Sequence, residues 1–432
     1  MNRSSIFYSA LFILLLSSCA RSDESDPVHS FRIYSEEGVT VAETSGGPKY
    51  SSEIFAYEKV LEIRGYPSEE RSYLVRPRSP SVDADGYLYV PDVNDNRIVV
   101  YSPDGRFVRE FGQAGEGPGD LQLPTHVQLV GDRVVVTSGI VSAGVAYRQR
   151  MTSFTRTGRL LDVYIEDLSR ALRSHLYYLT TSGERVATWW ENRTRDGFAY
   201  EKAGGIVETT SGDTLASFGS PDVVVGKQIT DEFQGRIRTR TERYLFTARP
   251  HLLFLPPDWI ALSDGNRQLL RIFDLRGNLV RDIRPGIARE PITREDREGL
   301  LALYDEKLHQ LQGYTERTGD SFEYDITENA KENLLFPEYK AMWDLPRFDD
   351  AGFFWLRIPE ERPFDVYENQ SDRYRVISPQ GEYLGDTEWP PVTEALIQRG
   401  HILAIVTDPD TNEGIPTVFR VISAAAGLRY PN

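Results

Sequence analysis

The chain has 432 residues, 65 of them acidic and 49 lysine or arginine, for a formal charge of −16. A surface that acidic repels nucleic acid and anionic headgroups, so neither is expected as a partner. Its one cysteine, Cys19, leaves the rest of the chain without an internal disulfide, a thiolate zinc cluster or a cysteine nucleophile.

A short basic start, Met1-Asn2-Arg3, precedes Ile6 to Leu16, a run that is apolar except for Ser9. A bilayer-spanning helix takes ~20 apolar residues, so this shorter run reads as the core of a cleaved secretory signal. It ends in Leu16-Ser17-Ser18-Cys19, which resembles the lipobox of bacterial lipoproteins. The resemblance implies loss of residues 1–18, acylation of Cys19, and a polar tether over residues 19–29. Each buried CH₂ of an acyl chain contributes ~0.8 kcal/mol, so more than one chain gives a stable anchor. Ala20, rather than aspartate, implies by family habit delivery to the outer membrane.

Beyond the tether, Phe31 to Thr44 is strand-like. Four later segments share one pattern of alternating apolar residues, a turn glycine and a resumed apolar run. They are Ile98 to Val108, Met151 to Leu161, Leu270 to Val280 and Tyr374 to Leu384, turning at Gly105, Gly158, Gly277 and Gly381. Fainter copies turn at Gly212 and Gly427. Glycine supplies the φ > 0 that a tight hairpin turn requires. A second hairpin lies upstream of several copies, at Ser81 to Val90, Val127 to Val136, Leu252 to Leu262 and Phe348 to Leu356. Asp92 and Asp264 stand at the same distance before Gly105 and Gly277.

Two hairpins make a four-stranded unit, and units of ~40–50 residues arranged radially are β-propeller blades. Six turn glycines count six such units. The expected fold is therefore all-β, a six-bladed β-propeller over residues 30–428. Phe31 to Thr44 is expected to pair with the last blade and leave no open edge.

Two intervals exceed a blade. Ile229 to Arg249 reads as an excursion, with the basic cluster Arg236 to Arg243 as a solvated loop. Residues 291–343, between the fourth and fifth blades, read as a helical insertion. Thr293 can cap a helix with Asp296 three residues on, and Leu300, Leu301, Tyr304, Leu308 and Leu311 recur at helical spacing. A second helical piece is expected over Thr327 to Leu335.

The glycine-rich stretch from Phe111 to Pro124, FGQAGEGPGDLQLP, invites comparison with a phosphate-binding loop. Such a loop needs a lysine and a hydroxyl residue opening a helix after its last glycine. Here Asp120-Leu121-Gln122-Leu123-Pro124 follows, so the stretch is expected to shape the chain and hold no nucleotide. With its flanks, Val82 to Val130 resembles the NHL-repeat propellers. It is more similar still to the six-bladed β-propeller lipoproteins of bacteria, whose repeats carry a G-x-x-G-x-G-P-G-x-[FL] connector. That resemblance implies a fold and an envelope address rather than a reaction.

His126, His175 and His251 each open the innermost strand of consecutive blades, near one mouth of the expected channel. Converging imidazoles can hold zinc, and the NHL-related peptidyl-amidating lyases use channel histidines of this sort. The plainer account is polar side chains lining a wet channel. Asp92, Asn94, Asp95 and Asn96 offer calcium ligands of the kind six-bladed sugar lactonases use, but all from one turn, where capping suffices. Trp189, Trp190, Tyr177, Tyr178 and Trp355 can stack on sugars, yet in strands they read as packing between blades. No catalytic constellation emerges. The expected function is a lipid-anchored, monomeric binding module for a protein, peptide or glycan, on a face flanked by the insertion. The alternative is a metal-dependent lyase or lactonase working in the channel with zinc or calcium.

Overall fold

The computed structural model describes residues 28–65, 72–142, 145–167, 174–208, 213–233, 236–318, 334–360, 369 and 371–430. The signal, Cys19 and Gly212 lie outside these residues. The described residues open with β1 (Ser30–Glu36), β2 (Val39–Ser45) and β3 (Phe55–Glu62), and the strands among them fall into six sheets. The first holds β4 (Ser81–Val82), β5 (Leu88–Asp92), β6 (Arg97–Tyr101) and β7 (Phe107–Phe111). The second holds β8 (Pro124–Val130), β9 (Arg133–Ser142), β10 (Val145–Thr155) and β11 (Leu160–Asp167). In the third are β12 (Ser174–Leu179), β13 (Arg185–Arg195), β14 (Phe198–Glu208), β15 (Thr214–Ser217), β16 (Val223–Phe233) and β17 (Arg236–Arg243).

The fourth sheet comprises β18 (His251–Leu255), β19 (Trp259–Asp264), β20 (Leu269–Asp274) and β21 (Leu279–Arg284), with β2 and then β1 added at its outer edge. Helix α1 (Arg294–Thr318) follows. The fifth sheet is β22 (Pro346–Phe348), β23 (Phe354–Arg357), β24 (Arg373–Ile377) and β25 (Tyr383–Glu388). The sixth is β26 (Glu394–Gln398), β27 (His401–Thr407), β28 (Gly414–Ser423) and, from the other end of the chain, β3.

The outer hairpins of four sheets turn identically. In the first, the Ser102 N–H donates to the Arg106 carbonyl, the Gly105 N–H to the Ser102 carbonyl, and the Arg106 N–H to Ser102 Oγ. Thr155 to Arg159, Asp274 to Asn278 and Ser378 to Glu382 repeat all three bonds. The pairing register slips beside the turn in each case, as in a hairpin closed by a glycine bulge. Glycine is required at 105, 158, 277 and 381 because φ there lies between +81° and +94°.

Those turns also bed onto the sheet before. A Cβ on Gly105 would lie 2.8 Å from Leu61 of β3, and one on Gly158 2.8 Å from Phe111 of β7. On Gly277 it would lie 3.0 Å from Ala216 of β15, and on Gly381 2.6 Å from Ala42 of β2. Asp92 and Asp264 are structural. Asp92 accepts the N–H groups of Val75 and Arg76 and pairs with Arg97, while Asp264 accepts the backbone and side-chain N–H of Asn266.

Instead of one core there are six apolar layers, one between each sheet and the next. Val100 and Phe154 meet between the first and second sheets, Met151 and Ala187 between the second and third, and Ile206 and Ile260 between the third and fourth. Ile283 and Ile377 meet between the fourth and fifth, and Trp355 and Ile402 between the fifth and sixth. The last layer joins Leu403 of the sixth sheet to Val90 and Tyr101 of the first. With both faces covered, β5 is buried at every residue, which explains its unbroken apolar run, Leu88 to Val90.

The glycine-rich connector folds around its own carboxylate. Asp120 accepts bonds from the Gln113 side chain at 2.9 Å and the Gly117 N–H at 2.8 Å. Arg150, 3% exposed, donates to the carbonyls of Asp120 and Glu116, each at 3.0 Å. The Gly117 N–H is thus taken up by a carboxylate of the chain itself, and the stretch runs as a connector from β7 to β8.

Four expectations need correction. Phe31 to Thr44 does not pair with the last sheet: β1 and β2 form a hairpin, and β2 runs parallel to β21. Ala42 is small enough to lie under the Gly381 turn, whereas Phe55 and Tyr57 of β3 bring aromatic surface to the Trp355 cluster and pair with β28. Gly427 lies beyond β28 and turns no hairpin. Arg236 to Arg243 is an edge strand, β17, paired with β16 across Asp231–Arg238 and Lys227–Glu242, and the excursion begins at Val223. Charged alternation is the usual device for keeping such an edge from recruiting another strand. The expected first helix is present as α1, with Thr293 Oγ1 accepting the Asp296 N–H and Asp296 accepting the Thr293 N–H. Most of Thr327 to Leu335 lies outside the described residues, but Leu335 is extended and bridges to Tyr244.

Candidate functional site

The innermost strands β4, β8, β12, β18, β22 and β26 surround one cavity of about 770 Å³. Its wall is chiefly apolar, with Val82, Leu129, Tyr178, Phe254, Phe348 and Leu396 contributing one side chain from each sheet. Polar side chains share that lining, among them His126, Gln128, Arg347 and Gln398. The polar side chains present are largely committed to joining sheets. Gln398 accepts the Val82 N–H, Ser81 donates to the Val127 carbonyl, and Gln128 bonds both the N–H and carbonyl of Leu179. Arg347 reaches the Ala395 carbonyl. At the end formed by the hairpin turns, Arg156 pairs with Asp83, and Asp350 accepts the Arg399 N–H.

His126 projects from β8 into this cavity. Desolvation by the surrounding sheets lowers its pKa below the ordinary imidazole value, although the residue keeps accessible surface within the cavity. His251, the first residue of β18, is held at about 4, chiefly by burial; it hydrogen-bonds the Asp344 backbone and is not among the residues lining the cavity. The His175 side chain lies outside the described residues. Among the described residues no group of three or more His, Cys, Asp or Glu side chains is placed to hold a metal ion. The residues near Asp92 cap their turn, with Asn96 at φ 55° and its side chain bonded to the Asn94 carbonyl and the Leu123 N–H. Trp190 donates to the Pro250 carbonyl, Trp355 is fully buried, and Tyr178 stacks on Phe254 at 4.7 Å between the third and fourth sheets.

A second cavity, a groove of about 580 Å³, opens beside α1. It exists because β13 and β14 are long, at 11 residues each, so their hairpin outreaches the sheet. The outer edge of β14 is then shared: Gly205 to Val207 pairs with β15, and Phe198 to Glu201 with β16. Phe198, Tyr200 and Tyr244 line one side of the groove, and Asn266 and Arg267 of the β19–β20 turn another. The returning segment after α1 supplies Phe336, Tyr339 and Lys340. Phe246, beneath the helix against Leu245 and Leu300, holds φ at +55°. A bulky residue in that region costs about 1–3 kcal/mol and tends to mark a functional site. Lys340 lies 5.4 Å over the Phe246 ring and pairs with Asp296 at 2.6 Å. Arg289 lies 5.9 Å over the exposed ring of Tyr339 and makes no ion pair among the described residues. Sequence reading missed this site because its walls come from six separate segments between Phe198 and Lys340.

A cyclic succession of six antiparallel-hairpin sheets around an axial cavity thus defines the architecture. No family model matches the chain, and no curated protein matches it. Among solved structures it is similar to a putative exported protein from Bacteroides fragilis, with a TM-score of 0.47 and 10% identity over 88% of this chain and 99% of that one. A member of the DUF4221 family from Bacteroides vulgatus gives 0.42 and 11% over 86% and 99%. The PQQ-bound aldose sugar dehydrogenase from Streptomyces coelicolor gives 0.38 and 10% over 87% and 100%. Likeness at these values carries no functional argument.

Proposed function

We propose that the six sheets are blades of a β-propeller, closed by β3, and that the protein is a lipid-anchored envelope module that binds an oligosaccharide in the groove beside α1. The six cyclic apolar layers and the cavity lined by all six inner strands support the propeller. The observation that carries the binding role is the groove itself. Its aromatic side chains offer flat faces for sugar rings, while Arg289, Asp222 and Glu338 offer hydrogen-bonding groups for hydroxyls and carboxylates. The helical insertion flanks the ligand, and the acidic remainder of the surface keeps the module soluble.

A panel of neutral and uronic-acid oligosaccharides tests this reading. Saturable binding is expected, and Tyr339→Ala or Arg289→Ala should weaken it at least tenfold with an unchanged melting temperature. A silent panel, or binding indifferent to both variants, overturns it; binding of short peptides alone assigns the groove to another ligand class. For the anchor, the wild type should take up palmitate label and sediment with the outer membrane, and Cys19→Ser should do neither. Unlabelled, freely soluble wild-type protein would end the lipoprotein reading.

A further inference from the structure

The axial cavity is distinct from the groove, and the proposed glycan function leaves it unexplained. Its volume, about 770 Å³, falls within the range of small-molecule sites. Val82, Leu129, Tyr178, Phe254, Phe348 and Leu396 are all only partly buried, so each keeps apolar surface facing the cavity. Apart from the stacked pair Tyr178 and Phe254, these side chains leave the space between them unfilled. A protein that needed only a sealed core would fill it, because interiors are close-packed.

Two polar groups are left unspent at this apolar wall. The first is His126, whose ring has no hydrogen-bond partner among the described residues. On a strand rising ~3.3 Å per residue, it stands roughly 13 Å from the turn that follows Val130. The second is Arg399, at the turn end. Its backbone is held in the left-handed region at φ 49° and tied to Asp350, while its exposed guanidinium makes no ion pair among the described residues. The other charges at that end are already engaged. Asp83 meets Arg156 and Tyr89, Asp349 meets Trp355 and Tyr430, and Arg347 meets Tyr374 and the Ala395 carbonyl.

We infer that the axial cavity is a second binding site, which takes an amphipathic anion: an unbranched apolar chain along the six inner strands, with its carboxylate at Arg399. The apolar chain covers the side chains that the six sheets leave facing one another. The carboxylate meets the one guanidinium of that mouth that makes neither an ion pair nor a side-chain hydrogen bond among the described residues. His126 supplies a neutral hydrogen-bonding group deeper in the cavity, one that costs little to cover because it carries no charge.

Titration calorimetry of sodium decanoate, below its micellar concentration, into the full chain bearing Cys19→Ser tests the inference. One saturable site with a negative heat-capacity change is expected, the sign of apolar burial. Arg399→Gln should weaken binding at least tenfold, and Leu129→Trp, which narrows the cavity at its wall, should weaken it as much, both with melting temperatures near that of the parent. Tyr339→Ala in the groove should leave decanoate binding intact, which separates this site from the glycan reading. The absence of saturable binding overturns the inference. So does loss of binding in Tyr339→Ala, which would put the ligand in the groove. Equal affinity for decanol, or for decanoate in Arg399→Gln, removes the anionic part of the assignment.

Discussion

Gly158→Val should destabilise the protein by about 2–5 kcal/mol, against about 1–2 kcal/mol for Gly183→Val. The two glycines occupy equivalent turns, each with its N–H on the carbonyl three residues before, at φ 87° and 90°. A side chain in this left-handed region costs the smaller sum in either place. Gly183 has nothing within 4 Å of its missing Cβ, whereas a Cβ at Gly158 meets Phe111 Cβ at 2.8 Å and its ring carbon at 2.9 Å. Overpacking of that kind costs typically 1–3 kcal/mol more. The difference between the variants, read by chemical denaturation, therefore measures how firmly the second sheet beds on the first. Equal losses at the two positions would mean that the turn does not press on β7.

Asp349→Ala should cost about 3–5 kcal/mol, for a different reason. This carboxyl, 1% exposed, accepts the Phe353 N–H and Trp355 Nε1–H, each at 2.8 Å, and the Tyr430 hydroxyl at 2.5 Å. Truncation leaves buried donors unsatisfied at about 1–3 kcal/mol each. It also releases Tyr430, which packs edge-on to Phe55 of β3 with ring centroids 5.1 Å apart. Burial holds the carboxyl above its ordinary pKa despite those bonds. A carboxyl raised in the folded state contributes most below its unfolded value of about 3.9, and that contribution fades as pH rises through the folded value. The gap between wild type and Asp349→Ala should therefore be wider at pH 4 than at pH 7. A gap that grows with pH would reverse the assigned direction.

The hairpins were legible because each is local: alternation, a glycine and a hydroxyl or aspartate three residues before it specify the turn without help from elsewhere. Asp92 and Asp264 were visible as a repeat, and their role, bonding nearby backbone, is equally local. What escaped was every pairing made across the sequence. Nothing in Phe55 to Glu62 names β28 as its partner, since any half-apolar strand satisfies an edge equally well. His126, His175 and His251 fall within β8, β12 and β18, yet only the fold decides which ring reaches the cavity: His126 lines it, and His251 does not. The groove depends on the length of β13 and β14 and on an outer edge divided between β15 and β16. Neither signal has a periodicity of its own.

The path of the N-terminal segment has a consequence for synthesis. From β2 on the fourth sheet it runs along the fifth, where Tyr50 donates to the Leu384 carbonyl, and enters the sixth as β3. A strand made early thus waits for β28, so the sixth sheet cannot be completed until β28 has left the ribosome. Until then two sheet edges stand open, and a chain clipped before β28 would never cover them. Such a molecule closes its last sheet only after β28 is made, and forms truncated before β28 should aggregate rather than persist as partial rings.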